Sequence, residues 1–330
     1  MDHTRITTTN HRIILVFVTL TLIFTPFILR SYADSEFPSK PIALYNPFPP
    51  GGGFDALSRP LADSASKVFK QEVIIVNKPG GTATLAPISL MSKKPDGYNV
   101  CLFTNNLLSI PLQRNVPFDP LKDFTYILRF SEAILGIAVR TDSSWETLRD
   151  LTDYAKANPG KIKYAATAVG STPHLAMSDI ALKSEVKWEI VPYVGGGRAV
   201  AAILGGHVQV ALGNVLNMSS HVRSGDLRIL AVLGDTPSSL FPKVPCIKEF
   251  GYFSWTTPIG ILGPKGMKKD IVDILDGAFK KALYDPKVGK AYEIIGAPIN
   301  YKNSSDYTKW VEETYEHYAN VIRSIGLHKK

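Results

Sequence analysis

Residues 42–77 read IALYNPFPPGGGFDALSRPLADSASKVFKQEVIIVN. The segment opens with a β-rich run at 42–46, passes a loop with three consecutive glycines, continues as an amphipathic stretch over 56–69 and ends in a second β-rich run at 73–77. Strand, helix and strand in that order predict a βαβ unit and a parallel sheet. The alternation continues with a helical stretch at 84–93 and a strand at 100–103. It resumes with strands at 164–168, 189–193, 208–212 and 229–233 and helices over 173–183 and 198–204, which predicts a second α/β lobe. After a short apolar run at 259–262 the tail turns helical, over 271–283, near 288–295 and over 306–325. Those helices need a sheet to cover, so the tail is expected to return to the first lobe, with crossovers near Ala138 and Trp255 acting as hinge strands. The expected division is residues 34–138 with 255–330 as one discontinuous lobe and 139–254 as the other. There is no internal sequence repeat, and turn signals such as Pro95-Asp96-Gly97 and Asn158-Pro159-Gly160 fall between elements.

The chain has 330 residues, 45% of them hydrophobic and 20% charged, enough for two lobes with real cores and too apolar for dominant disorder. Its 37 basic and 29 acidic residues give a net charge of +8. The lysines are scattered pairs, such as Lys93-Lys94 and Lys280-Lys281, rather than a basic block, so no nucleic-acid partner is expected. Two cysteines, Cys101 and Cys246, cannot build a disulfide scaffold or a four-thiolate metal site, and each is expected as a small buried apolar residue.

At the N-terminus Arg5 and Arg12 precede an apolar run at 13–24, then Pro26 and Ser31-Tyr32-Ala33. The small residues at Ser31 and Ala33 fit a leader peptidase site, so residues 1–33 are expected to be a signal peptide cut after Ala33. The competing reading is an uncleaved anchor over 13–29, at the short limit for spanning a bilayer. An exported, mildly basic protein has a long-range field that favours anionic small molecules.

Four loops lie just after predicted strands, where ligands bind in open α/β sheets. The first runs Pro47-Phe48-Pro49-Pro50-Gly51-Gly52-Gly53-Phe54-Asp55. Its glycines let backbone N–H groups approach an anion, and the following helix adds positive potential; a plain turn with Asp55 as helix cap is the alternative. The second, Asn77-Lys78-Pro79-Gly80-Gly81-Thr82, repeats the design, against a simple Pro-Gly turn. In the third, residues 165–174, Thr172 can cap a helix that starts at Pro173, and Ser171, Thr172 and free N–H groups would face a carboxylate. His174 there points either to a ligand or into helix packing. The fourth, Pro192-Tyr193-Val194-Gly195-Gly196-Gly197-Arg198, starts like a dinucleotide fingerprint but has Val200 where the third small residue belongs, so no nicotinamide cofactor is expected. A glycine-rich turn without ligand is its alternative. Phosphate-loop, zinc-protease and nucleophile-elbow motifs are missing from the sequence, and His174, His207 and His221 have no metal-ligand spacing.

In this order the loops resemble the solute receptors of tripartite tricarboxylate transporters, the TctC or Bug family of periplasmic binding proteins. The resemblance covers almost all of the chain beyond the leader. It rests on residues 47–55, Asn77-Lys78-Pro79-Gly80-Gly81, Pro95-Asp96-Gly97-Tyr98, residues 154–161, Gly170-Ser171-Thr172-Pro173-His174-Leu175, Gly205-Gly206-His207-Val208, and Asp235 with Pro242, Val244 and Pro245. It implies a type II, Venus-flytrap fold: α/β, two-lobed, a parallel or mixed sheet in each lobe and a two-strand hinge. It also implies a non-enzymatic, cofactor-free periplasmic receptor that closes on a small carboxylate and hands it to membrane permease subunits; a monomer is the default expectation, since the sequence is silent on oligomeric state. Ligand contacts are expected from Phe48, Gly51, Gly52, Gly53, Phe54, Asp55, Gly81, Thr82 and Asn105 on one lobe. The opposing lobe would supply Thr167, Ser171, Thr172, His174, Tyr193, Gly195, Gly196 and Asn214.

One departure matters. Where the amino-acid-binding branch carries a carboxylate after the strand matching 208–212, this chain has Gly213-Asn214, so a non-amino carboxylate is expected. The rival classes are a receptor feeding a signalling partner and a secreted hydrolase using Ser171 with a distant histidine.

Overall fold

The computed structural model describes residues 37–193 and 195–329. The expected leader at 1–33 lies outside the described residues, and from Pro38 onward the chain forms one compact unit. No helix among the described residues is long and apolar enough to cross a membrane.

The first sheet grows from β1 (Ile42–Asn46), whose alternate residues Ile42 and Leu44 are fully buried. β2 (Val73–Asn77) and β3 (Asn99–Leu102) flank β1 in parallel. Helix α1 (Gly53–Phe69) connects β1 to β2 and buries Leu57, Leu61, Ala65 and Phe69, one residue every four, which makes one face of a helix. α2 (Leu85–Leu90) leads to β3, and α3 (Asn106–Gln113) follows it. Then come β4 (Phe124–Ala133) and β5 (Leu135–Arg140).

The second sheet adds β6 (Ile162–Ala166), β7 (Trp188–Pro192), β8 (Val210–Asn214) and β9 (Leu227–Val232), with β6 parallel to both β7 and β8. Helices α4 (Leu148–Ala157), α5 (Thr172–Ser184), α6 (Gly196–Leu204) and α7 (Val215–Arg223) connect them. The chain then returns: β10 (Thr257–Pro264) inserts antiparallel between β3 and β4, and β11 (Ile299–Lys302) pairs outside β4. The tail helices are α8 (Lys269–Leu283), α9 (Pro286–Ile294) and α10 (Ser304–Ser324). α8 and α9 pack on α1, through Phe69 against Phe279, Ser64 on Asp285 and the Tyr292 hydroxyl on Leu57 O.

The strand orders are β2-β1-β3-β10-β4-β11 and β7-β6-β8-β5-β9. The two sheets therefore share one scheme, three parallel strands followed by an antiparallel strand, although the sequence itself does not repeat. In each the antiparallel strand lies next to a chain passage between sheets: β4 runs into β5 through Ile134, and β9 reaches β10 through residues 233–256. The first passage is thus earlier than the Ala138 expected from sequence, and Ala138 pairs with Ala211 and Ile229 inside the second sheet. The reason is plain in the residues. The run 124–140 is apolar with no turn signal, so β4 and β5 read as one stretch and neither was predicted as a strand of a sheet. The helices α3, α4 and α7 and the short strand β11 were also missed, and β8 lies two residues later than expected.

The core of the first sheet includes an aromatic group of Phe103, Tyr126, Tyr307 and Trp310, with ring centroids 5.3–6.2 Å apart. Cys101 and Cys246 are buried free thiols, and burial pushes both upward from the ordinary thiol range.

Candidate functional site

Six helices follow parallel strands of the two sheets, and their starts gather the loops singled out in the sequence. In the first loop Asn46 Oδ1 accepts the Phe48 N–H at 3.1 Å, and Asn77 Nδ2 at the end of β2 donates to Phe48 O at 3.0 Å. Asp55 is 4% exposed. Its carboxylate accepts from Gly51 N (2.9 Å), Arg59 Nε (2.7 Å), Arg59 Nη2 (3.0 Å) and Asn77 Nδ2 (3.2 Å). Arg59 and these N–H donors hold the Asp55 carboxyl at about 2, below its ordinary 3.8. Asp55 is therefore the brace of the loop, turned back on its own chain.

Gly51 has φ +82°, a backbone that only glycine adopts without strain. Gly52 stands at the N-cap of α1 with no side-chain cap, so the first-turn N–H groups find no acceptor side chain. The Phe48 and Phe54 rings meet at 4.5 Å beside them.

In the second loop four consecutive residues, Gly80, Gly81, Thr82 and Ala83, have positive φ. Asn106 Nδ2 donates to Thr82 O at 2.9 Å, and Arg114 Nη2 donates to Thr82 Oγ1 at 3.1 Å. After β3 comes Asn105, 3% exposed, whose Nδ2 donates to Thr256 O (2.7 Å), Tyr318 Oη (3.0 Å) and Thr172 Oγ1 (3.3 Å). This one side chain joins the first sheet's third loop, the second passage between sheets, α10 and the start of α5.

On the second sheet the cap of α5 is Ser171, with Thr172 as the first helical residue, one position earlier than expected. Ser171 Oγ donates to Ala168 O at 2.6 Å and leaves the helix start uncapped. His174 Nδ1 accepts the Gly170 N–H at 2.9 Å, so the ring is the neutral tautomer with its proton on Nε2, and burial lowers its tendency to protonate. His174 thus holds its own loop through Nδ1, a role neither alternative described. Gln113 Nε2 donates to Gly170 O at 3.1 Å, a second tie between the sheets. Ser171 and His174 are each bonded to backbone rather than to one another.

Tyr193 is anchored by its N–H on Ala166 O at 2.8 Å, and Gly195, at φ +84°, caps α6 without a side-chain bond. Thr167 lies half-buried at the end of β6. Asn214 Oδ1 accepts the Leu216 N–H at 2.9 Å and caps α7. No carboxylate stands at 213–214, and Gly213 has open space where a side chain would be.

The pattern of caps separates this region from the rest of the fold. The helices that start at the loops, α1, α2, α3, α5 and α6, have no side-chain cap. α7 is the exception, through Asn214. Away from the loops α4, α9 and α10 are capped by Thr147, Asp285 and Asn303, and only α8 is not. The uncapped ends present backbone donors suited to an anion. Among the described residues no cluster of three or more His, Cys, Asp or Glu could hold a metal. A cavity of about 720 Å³ between α5, α10 and residues 235–254 shares no residue with the loops.

Sequence reading missed Asn46, Asn77 as a brace, Gln113, Arg114 and Tyr318. The Asp55–Arg59 spacing of four on a helix was a usable signal. Gln113 and Arg114 had none, because α3 itself was not anticipated.

Two mixed α/β sheets, joined by two passages and with the loops at the strand ends, make this the two-lobed periplasmic-binding-protein fold. The chain belongs to the tripartite tricarboxylate transporter receptor family, whose model matches residues 57–327 and whose members are periplasmic solute receptors. It is 35% identical over 301 residues to a Cupriavidus necator UPF0065 protein from the gbd 5′ region, covering 91% of each chain. A TctC solute-binding protein from Polaromonas superposes with a TM-score of 0.83 at 29% identity, covering 87% of this chain and 99% of that one. Two Rhodopseudomonas palustris proteins of the same fold, solved with adipate and with malate, superpose at TM-scores of 0.70 and 0.66 with 24% and 22% identity, covering 88% and 87% of this chain and 99% and 100% of theirs.

Proposed function

We propose that this chain binds a small carboxylated solute between the loops of its two sheets and delivers it to the membrane subunits of a tripartite tricarboxylate-type permease. The observation that carries the reading is the row of helix starts without a side-chain cap, α1 on one sheet and α5 and α6 on the other. Adipate and malate in two relatives of the same fold agree with it. The lobes would hinge at Ile134 and within residues 233–256, and the ligand shifts the open–closed equilibrium by as much as it binds the closed form better. Delivery outside the cytoplasm would follow removal of residues 1–33.

A thermal-shift screen of residues 34–330, unfolded and refolded to strip carried ligand, tests this against carboxylates, amino acids and neutral sugars. A ligand at 100 times its dissociation constant stabilises the native state by about 2.7 kcal/mol. A response to sugars alone, or to amino acids in preference to carboxylates, overturns the reading.

Two predictions arise directly from the loops. Gly52→Val is expected to abolish carboxylate binding and leave the fold intact, because a Cβ there meets only Pro49 O at 3.7 Å and Gly52 has an ordinary extended φ of −81°. Full affinity in that variant would move the site elsewhere. Second, 2-oxoglutarate is expected to bind more tightly than glutamate, since Asn214 offers no negative charge to an ammonium group and its Oδ1 already caps α7. Calorimetric titration of both, with equal affinities, would refute the expectation.

A further inference from the structure

Gln113, the last residue of α3, bonds across the two lobes. Its Nε2 donates twice, to Ser109 O of its own helix at 3.1 Å and to Gly170 O of the loop after β6 at 3.1 Å. Both hydrogens of the amide are therefore used, and none is left for a solute. The bond to Ser109 O fixes where the other hydrogen points. α3 is itself fastened at both ends. Asn106 Nδ2 donates to Thr82 O at 2.9 Å, the Arg114 side chain donates to Thr82 Oγ1 at 3.1 Å, and Leu112 O accepts the Lys329 N–H at 2.9 Å. The helix thus lies along the second loop, at the rim of the first sheet.

The acceptor is held just as firmly. Gly170 is buried, and its φ of +76° is a backbone that glycine adopts without strain. Its N–H donates to His174 Nδ1, and the Ser171 N–H and Oγ both donate to Ala168 O. A Cβ at position 170 would overlap Gln113 Oε1, so glycine serves the close approach of the amide as well as the turn. Donor and acceptor are each set in place by their own lobe before they meet.

Both partners lie on the loop side of the two passages. A rotation about Ile134 and residues 233–256 that parts the loops lengthens this bond, and the reverse rotation remakes it. A stretch of about half an ångström is enough to break it, so it acts only at the closed end of the movement. The neighbouring tie, Asn105 Nδ2 to Thr172 Oγ1, belongs nearer the pivot, because the same amide bonds the second passage at Thr256 O. The Gln113 amide bonds only Ser109 and Gly170 among the described residues.

We propose that Gln113 is a positioning residue for solute capture: its bond to Gly170 O latches the lobes shut and raises solute affinity without touching the solute. The inference rests on the two-lobed receptor reading above and goes beyond it by naming a side chain that biases closure. The latch uses protein groups alone, so it contributes with and without a bound solute. A solute that binds the closed form gains apparent affinity in proportion to the fraction of protein already closed.

The test uses Gln113→Met, which keeps the length of the side chain and loses the donor, with Gln113→Ala as the second variant if the methionine form folds poorly. Spin labels at Glu72→Cys and Lys187→Cys report the opening. Both positions are exposed, each directly precedes the edge strand farthest from the passages, and the native thiols are buried. In ligand-free protein the distance distribution is expected to shift to longer separations in the variant. Calorimetric titration with succinate, glutarate and adipate is expected to show roughly 3- to 10-fold weaker binding than wild type, the range for one net hydrogen bond. An unchanged ligand-free distribution overturns the latch whatever the affinity does, because a residue that only supports its loop weakens binding without moving the lobes. A shifted distribution with wild-type affinity overturns it too. A wild type that takes none of the three acids counts against the carboxylate reading, and the ligand-free distances still decide the latch.

Discussion

Replacing Asp55 with alanine is expected to abolish ligand binding and to lower stability by roughly 2–3 kcal/mol, the range for removing a buried group that accepts several hydrogen bonds, some of them charge-assisted. The carboxylate lies on the first turn of α1 and gathers the Gly51 N–H, the Asn77 amide and the Arg59 guanidinium at 2.7–3.2 Å. Without it Arg59, which is half-exposed, returns to water at little cost. Gly51 and Asn77 do not, because they fix the path of the loop proposed to carry the ligand's backbone donors. Asp55→Asn keeps the shape and is expected to fall between, since its amide cannot accept at both positions. The wild-type loop should also show an acid limb. The folded-state carboxyl lies at about 2 against an ordinary 3.8, so its contribution is complete above 3.8 and is lost as pH falls toward 2. Asp55→Ala should have no such limb from this group, and chemical denaturation at pH 5 and pH 2.5 compares the two. A variant that binds carboxylates as wild type does would show that the brace is dispensable.

That arrangement illustrates how much of the site can be read before folding. The loops were legible because glycine, proline and small polar residues after a β-rich run have few structural uses, and all four lie at the ends of parallel strands. Which atoms face the ligand was not legible. Asp55 in the sequence serves equally as ligand group, helix cap or brace, and only the simultaneous reach of Gly51, Asn77 and Arg59 decides for the brace. His174 is similar: its bond to the Gly170 N–H depends on a left-handed turn at Gly170, φ +76°, that spacing alone does not specify. The fold was legible where helices and strands alternate with punctuation and failed where they do not. Residues 124–140 form two strands in two different sheets with a single residue between them. α3 contains Pro111 within eight residues, too short and too interrupted for a helical period, so Gln113 and Arg114 could not be placed at the site in advance.

The largest effect on the molecule as a whole is expected at Asn105, because no other candidate residue bonds to so many separate parts. Its amide nitrogen donates to Thr256 O, Tyr318 Oη and Thr172 Oγ1, which belong to the second passage, the last helix and the opposing loop. Asn105→Asp preserves volume and removes the donor. The new carboxylate would be fully buried, face the Thr256 carbonyl across 2.7 Å in place of a donor, and have no cation bonded to the groups around it. Burying a charge in that setting costs about 3 kcal/mol or more at neutral pH. Burial raises the folded-state pKa of such a carboxyl above its unfolded value, so protonation favours the native form. The loss should therefore shrink as pH falls through that raised value, and the protonated acid can again donate one hydrogen bond to Thr256 O. Asn105→Leu, apolar and of similar size, has no such pH dependence and leaves the Thr256 carbonyl without its Asn105 donor at all pH values, while the Tyr318 hydroxyl keeps only Thr172. Thermal unfolding of the three proteins between pH 4.5 and 8 separates the outcomes: a gap between wild type and Asn105→Asp that does not narrow on acidification would mean that water, rather than Asn105, satisfies these groups and that the lobes are joined some other way.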